Sequence, residues 1–326
     1  MLRALHISFW LGIVAILSAC GGLQPSSNEP KHTFLSLGTA PPGGAFFVVG
    51  SALAEVLNTK SDDLHSSTTA EATSGSQENI RRLVNGELNF ALSNSAITYF
   101  AVRGIEGWDR AYPIRTVMTL APNVALFITS SNSGVVNLAN LKGKRVVVGP
   151  AGAGFEFFIK PLLAAHNISY EDFSPLNATQ QAAVDMLTDG SATAAFLGGA
   201  VPTASITQAS MSQDILFLPF DEKSMEQLIK DYVFFRPAII PAKTYRGQTE
   251  DFHGLDVGSM HLITTVEQSQ DLVYNVTKIL YENREQVVAK HPAGRAINSM
   301  NAIRNTGTEF HPGAVRYYKE IGIWLD

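Results

Sequence analysis

What most limits the fold open to this chain is a unit that occurs twice, about 110 residues apart: an apolar run, a turn of small residues, then a segment with helical spacing. The first copy is the run 33–37, the turn within SLGTAPPGGA (36–45), and apolar residues at helical intervals over 46–57. The second is LKGKRVVVGPAGAGFEFF (141–158), with a short buried strand over 145–148 and a helix over 155–163. A strand that feeds a helix through a tight turn builds parallel strands, so the unit dictates an α/β fold. The same alternation fills the rest, with strands at 64–70, 90–92, 116–120, 124–129, 172–176, 194–197 and 215–218. Helices fall between them, through Ile80, Leu83 and Val84, over 94–102 and over 180–187. Single cores seldom grow past about 250–300 residues, so the two copies of the unit in a 326-residue chain read as equivalent loops of two similar lobes. Residues 33–124 with 261–326 form lobe 1 and 125–260 form lobe 2. The chain returns through DVGSMHLIT (256–264), whose apolar run mirrors 124–129 and pairs with it as a hinge. Ser269 then caps a helix whose residues Leu272, Val273, Val276, Ile279 and Leu280 share one face, and this tail packs on lobe 1.

Residues 1–20, MLRALHISFWLGIVAILSAC, open with a single Arg and continue as an apolar run over 9–17. That run is short for a bilayer but suits a signal-peptide core. It ends in LSACG, which resembles a bacterial lipobox, where Cys20 receives a lipid before cleavage; the alternative is that Cys20 is a buried core thiol. Cys20 is the only cysteine, so the folded body carries no internal disulfide. Residues 21–32 are polar, rich in Gly, Ser and Pro and without apolar period, which describes a flexible tether. The expected address is the periplasmic side of a bacterial membrane, with lipidated Cys20 as anchor. No second stretch approaches the ~20 apolar residues of a membrane helix, so the chain is not itself a channel. A net charge of −5 and the lack of a Lys/Arg run argue against nucleic acid as a partner.

A glycine turn between strand and helix removes Cβ atoms where backbone approaches a ligand and aims first-turn N–H groups at it, which suits an anionic group. Neither turn holds the Gly-Lys-Ser/Thr of a phosphate loop, and neither matches G-x-G-x-x-G followed by a suitably placed acid, so ATP and NAD are not expected. The bland reading of each turn alone is a tight connection made of ordinary turn residues. A third element, EATSGSQEN (71–79), places Ser76 as an N-cap and leaves N–H groups near Ser74 and Gly75 accessible. Asn94 and Ser95 follow a strand end, where α/β sheets bind ligands, and Gly198 and Gly199 follow another. Histidines 166, 253, 261, 291 and 311 lack H-E-x-x-H or C-x-x-C neighbours and follow no Gly-x-Ser-x-Gly elbow. No catalytic set, metal site or cofactor is therefore expected. His261 reads as a core histidine and His311 as a helix start. Glu156 is either a pocket acceptor or a first-turn acid matched to its helix dipole.

Taken together, these landmarks resemble the TAXI family, the solute-binding proteins of TRAP-type transporters. GTAPPGGAFF (38–47) is similar to the family's GTGGTGG and aromatic pair, TSGSQEN (73–79) to its TGGS-x-EN, and LKGKRVVVGPAGAG (141–154) to its LKGKRV-x-VG-P-x-GSG. IPAKTYRGQTED (240–251) and HPGAVRYYKEIG (311–322) resemble its later segments, so the similarity runs over about 34–324. The resemblance implies a two-lobed type II periplasmic-binding-protein fold with the ligand cleft between the lobes. It also implies a receptor that closes on a small amino acid or carboxylate and hands it to a sodium-coupled membrane permease. Solutes of the glutamate, glutamine or 2-oxoglutarate type, small anions or zwitterions, are the implied ligands. Carried over by position, the solute-facing residues are Thr39, Gly43, Gly44 and Phe46, then Ser74, Gly75 and Ser76, then Asn94 and Ser95. The second lobe adds Ala151, Gly152, Ala153, Gly154 and Phe155, with Gly198 and Gly199.

This sequence departs from the family in having Phe46 and Phe47 where tyrosines are common, and Gly152-Ala-Gly-Phe155 where Gly-Ser-Gly-Thr is common. Its pocket is expected to be more apolar, and the paired Pro41 and Pro42 stiffen one jaw of the clamp and narrow what it accepts. Micromolar binding needs about 8 kcal/mol, whereas helix termini supply only ~0.3–2 each. Three or four charge-assisted hydrogen bonds of ~1.5–3 kcal/mol, with burial of solute carbons on Phe46 or Phe155, reach it without a dedicated arginine. On this reading, valine at Gly44 or at Gly152 abolishes binding. A ligand-sensing surface lipoprotein without a permease, or a periplasmic hydrolase, remain the alternative classes.

Overall fold

The computed structural model describes residues 33–324. The signal peptide and lipidation site expected over 1–20, and the tether over 21–32, lie outside the described residues.

The strands are β1 (Thr33–Gly38), β2 (Ser66–Glu71), β3 (Phe90–Asn94), β4 (Ile114–Thr119), β5 (Val124–Ser130), β6 (Arg145–Val147), β7 (Ser174–Leu176), β8 (Ala194–Gly199), β9 (Ile215–Phe217), β10 (Phe235–Ile240), β11 (Phe252–Val257) and β12 (Met260–Thr265). The helices up to the middle of the chain are α1 (Ala45–Asn58), α2 (Ser61–Leu64), α3 (Ser76–Val84), α4 (Ser95–Ala101) and α5 (Glu156–Ala165). They are followed by α6 (Gln180–Thr188), α7 (Ala204–Ser212), α8 (Glu222–Asp231), α9 (Gln270–Glu282), α10 (Arg284–Lys290) and α11 (Pro312–Glu320).

Two sheets share the strands within one compact unit. The first has the order β2-β1-β3-β12-β4, parallel across β2, β1 and β3 and antiparallel where β12 inserts. The second runs β10-β11-β5-β8-β6-β7, with β9 added against β5; its parallel core is β8-β6-β7. Each glycine-turn unit therefore sits at the exit of a parallel strand, β1 in one sheet and β6 in the other.

Local pattern explains the elements. In α1, Val49, Leu53, Val56 and Leu57 recur at helical spacing and are buried against the first sheet with Leu37, Leu92 and Leu262. Ser269 caps α9 by accepting from Leu272 N–H, and α9 packs on α11, whose Tyr317 and Tyr318 complete this core. The core on the other face of the sheet continues into the second sheet: Phe100 of α4 stacks on Phe157 of α5 with ring centroids 5.8 Å apart.

Three expectations change. The apolar run 256–264 is not one segment: the chain crosses at Gly258 and Ser259, so that β11 ends in one sheet and β12 begins in the other. Leu64 closes the short α2, and β2 starts after it, because His65 adopts a left-handed conformation that stops the helix. Ser76 is not an N-cap; it is the first residue of α3 behind Gly75, and its hydroxyl accepts from Asn94 N–H instead (2.9 Å). The two crossovers, 120–123 and 258–259, run side by side, with Val257 N–H bonded to Asn123 O (3.0 Å) and Met260 N–H to Ala121 O (2.8 Å).

Candidate functional site

Because parallel strands in both sheets end toward each other, their exit turns enclose a cavity of about 50 Å³. The turn after β1 supplies Gly44 and Phe46, with Ala40, Pro41, Pro42 and Ala45. The turn after β2 supplies Ser74, Gly75 and Ser76, and β3 ends in the wall at Asn94. Facing them are Pro150, Ala153 and Phe155 from the turn after β6, and Gly198 from β8. Above the cavity the two sides touch, since Gln77 N–H donates to Ala153 O at 3.3 Å.

The remaining sequence-derived site residues lie outside this wall. Thr39 is fully buried, and its hydroxyl donates to Glu71 O (2.7 Å). Ser95 is buried at the crossover, its N–H donating to Ser259 O (2.9 Å). Gly154 leaves room for Ile97, Gln77 and Phe157 and so serves the packing of α5 against the first lobe. Gly199 faces Thr203 and Ala45, and the space where a Gly43 Cβ would stand faces Gln181. Ala151 is exposed and Gly152 meets no neighbour. Glu156 lines a separate surface depression with Lys160 and Tyr232, in keeping with the first-turn reading.

Two polar wall residues had no place in the sequence-derived set. Gln180, the first residue of α6 behind the Thr179 cap, was legible as one more helix start facing the strand ends. Asn123, in the first crossover, carried no local signal.

Most polar groups in the wall are already engaged. The Asn94 amide accepts from Ala96 N–H (2.8 Å) and donates to Gly258 O (2.7 Å). Gln180 donates to Gly198 O (2.6 Å) and accepts from the Ser205 hydroxyl (2.7 Å). The Ser74 hydroxyl and the Ser76 N–H have no partner among the described residues, and two further sets are open. The N–H groups of Ala45 and Phe46, in the first turn of α1, have no acceptor among the described residues. The side-chain amide of Asn123, a residue only 5% exposed, makes no hydrogen bond there either, although its backbone is held on both sides. Among the described residues, no Lys, Arg, His, Asp or Glu lines the cavity. Among the described residues no group of three or more His, Cys, Asp and Glu could hold a metal ion.

What holds the Asn123 backbone is a buried acid at the crossover. Asp256 accepts from Asn123 N–H (3.0 Å) and from the Ser259 hydroxyl (2.6 Å), and Arg304 stands 3.7 Å away while donating to Ser259. Burial pushes Asp256 up to about 6, against the opposing pull of Ser259, Arg304, Asn123 and Arg236. Close by, His261 lies fully buried with Nε2 2.8 Å from the Thr98 hydroxyl, and burial drives it down to about 3. These shifts act in opposite directions on stability. Asp256, raised in the folded state, contributes stability that is complete below about pH 4 and lost as pH rises through about 6. His261, depressed in the folded state, contributes stability present above about pH 6.5 and lost as pH falls toward 3. From pH 7 to pH 5, His261 costs about 2 kcal/mol and Asp256 returns about 1 kcal/mol. Urea denaturation at both pH values tests this. Asp256→Asn should lose about 1 kcal/mol more than wild type on that acid step, and His261→Gln about 2 kcal/mol less.

Other histidines also serve the fold: His311 caps α11 by accepting from Gly313 N–H (3.1 Å), and His166 accepts from Asp221 N–H (2.9 Å).

Comparison with known proteins agrees with this architecture. A model of the NMT1-like family matches residues 37–322. Among solved structures, PhnD1 from Prochlorococcus marinus in complex with methylphosphonate is similar with a TM-score of 0.54 and 9% identity, over 88% of this chain and 95% of that one. The ligand-binding component of an ABC-type import system from Staphylococcus aureus, with zinc bound, is similar with a TM-score of 0.50 and 11% identity, over 79% of this chain and 78% of that one. At such identities the likeness is one of fold, the two-lobed type II periplasmic-binding-protein fold.

Proposed function

The chain belongs to the NMT1-like family, and we propose that it is an exported receptor that captures a small amino acid or carboxylate between its lobes and delivers it to the membrane subunits of a TRAP-type transporter. Lipidated Cys20 holds it at the periplasmic side of the membrane. The observation that carries this reading is the cavity between the sheets, where the free N–H groups of Ala45 and Phe46 and the free amide of Asn123 meet a wall of uncharged side chains that includes Phe46, Phe155, Pro41 and Pro42. Polar groups that converge in a concave apolar site are the ordinary makings of small-molecule recognition. The TRAP assignment rests on the motif resemblance, above all GTAPPGGAFF, TSGSQEN and LKGKRVVVGPAGAG. A binding role rather than catalysis is supported by the use of His166, His261 and His311 in caps and core contacts.

A thermal-shift screen of the full chain against amino acids, carboxylates and other small solutes tests the reading. A solute at 100 times its Kd adds about 2.7 kcal/mol to the folded state, which in a protein of this size raises Tm by roughly 4–5 °C. Silence across amino acids, carboxylates, phosphonates, sugars and amines would overturn it. A permease gene beside the receptor gene supports transport, and its absence favours ligand sensing by a surface lipoprotein.

A further inference from the structure

We propose that the solute is a small monocarboxylate whose other atoms carry no charge, with its carboxylate on the N–H groups of Ala45 and Phe46 and on the Asn123 amide. This rests on the receptor reading above and narrows it, on three observations about the cavity.

The first is charge. With no cationic or anionic side chain among the described residues of the wall, a second carboxylate would be buried without a counter-ion, and so would an ammonium group; both are heavily disfavoured once water is excluded. Glutamate and 2-oxoglutarate each bring one charge too many. A single carboxylate has partners, because first-turn N–H groups carry the positive end of the α1 dipole. The Asn123 amide is a second, independent donor, nine-tenths buried and without a partner of its own.

The second observation is size. At about 50 Å³ the cavity is small for a solute site, which favours propionate, lactate and pyruvate over larger diacids. The third is the rest of the surface: Pro41, Pro42, Phe46 and Phe155 offer carbon to whatever follows the carboxylate, and the polar side chains beside them, Ser74 among them, are all uncharged.

The test is calorimetric titration and thermal shift of the full chain with acetate, propionate, butyrate, lactate and pyruvate. The comparison set is alanine, glutamate, glutamine, succinate, 2-oxoglutarate and methylphosphonate. A three- or four-carbon monocarboxylate is expected to bind at least tenfold more tightly than every member of the comparison set. Asn123→Ala should weaken it about 10- to 100-fold, the worth of one charge-assisted hydrogen bond. Phe46→Ala, which enlarges the apolar end, should move the preferred chain length up by one or two carbons, a change that mere loosening of the fold does not produce. Tighter binding of a diacid, an amino acid or methylphosphonate overturns the monocarboxylate assignment and leaves the receptor reading intact. Failure to bind any solute of either set or of the wider screen overturns both.

Discussion

Valine in place of Gly44 should abolish solute binding while the protein still folds, whereas valine in place of Gly152 should weaken the fold and spare binding. Gly44 is the N-cap of α1 with φ −97° and ψ 155°, an extended conformation that any residue adopts. A Cβ built there meets only Pro41 O, at 3.8 Å, an ordinary contact. Its branches then extend into a cavity of about 50 Å³, and two methyl groups occupy most of what a solute needs. Gly152 is the opposite case. Its φ of +75° lies in the left-handed region, where a β-branched residue is strained by about 1–3 kcal/mol, and no atom lies within 4 Å of its Cβ position. Melting temperatures with and without solute separate the two effects. The Gly44 variant should keep the unliganded Tm within about 2 °C and lose the ligand-induced rise; the Gly152 variant should melt several degrees lower and keep it. Binding that survives Gly44→Val would put the solute elsewhere.

The contrast shows where sequence reasoning reaches and where it stops. Both turns were legible as strand-to-helix connections, because an apolar run, small residues and helical spacing are local signals. Which atoms of each turn face the cavity is not local. In the first turn Gly44 itself is in the wall; in the second, Pro150 and Ala153 are, and Gly152 points away. Ser76 shows the same limit. Its type and position suit a cap, yet the end of β3 passes beside α3 and the backbone N–H of Asn94 claims the hydroxyl. Asn123 is the extreme case: its role depends on Asp256, 133 positions further on, which fixes the backbone and leaves the amide free. The Phe100–Phe157 contact, in the core that continues from the first sheet into the second, joins residues 57 positions apart.

A large loss of stability is expected at Gly258, in the second crossover. Its φ is +108°, and a Cβ there would overlap the Asn94 side-chain oxygen and stand 2.7 Å from Ala96 N. The nearer obstacle is a side chain held at both ends by hydrogen bonds, and the further one is helix backbone, so neither yields cheaply. Gly258→Ala therefore combines left-handed strain with a steric conflict and should cost about 3–5 kcal/mol, in the range of the most damaging single substitutions. Gly247→Ala is the control, since its φ is +82° but its Cβ position is open; it carries the backbone strain alone, about 1 kcal/mol. The difference between their urea midpoints isolates the conflict with Asn94. Binding should follow the same division. Because Gly258 O takes the hydrogen bond that holds the Asn94 amide at the cavity wall, solute affinity measured below the variant's Tm should fall more than tenfold for Gly258→Ala and stay unchanged for Gly247→Ala. Equal affinities in the two variants would separate the crossover from the site. The expected split ties them together: the residues that carry the chain from one lobe to the other are the ones that hold Asn94 and Asn123 at the cavity.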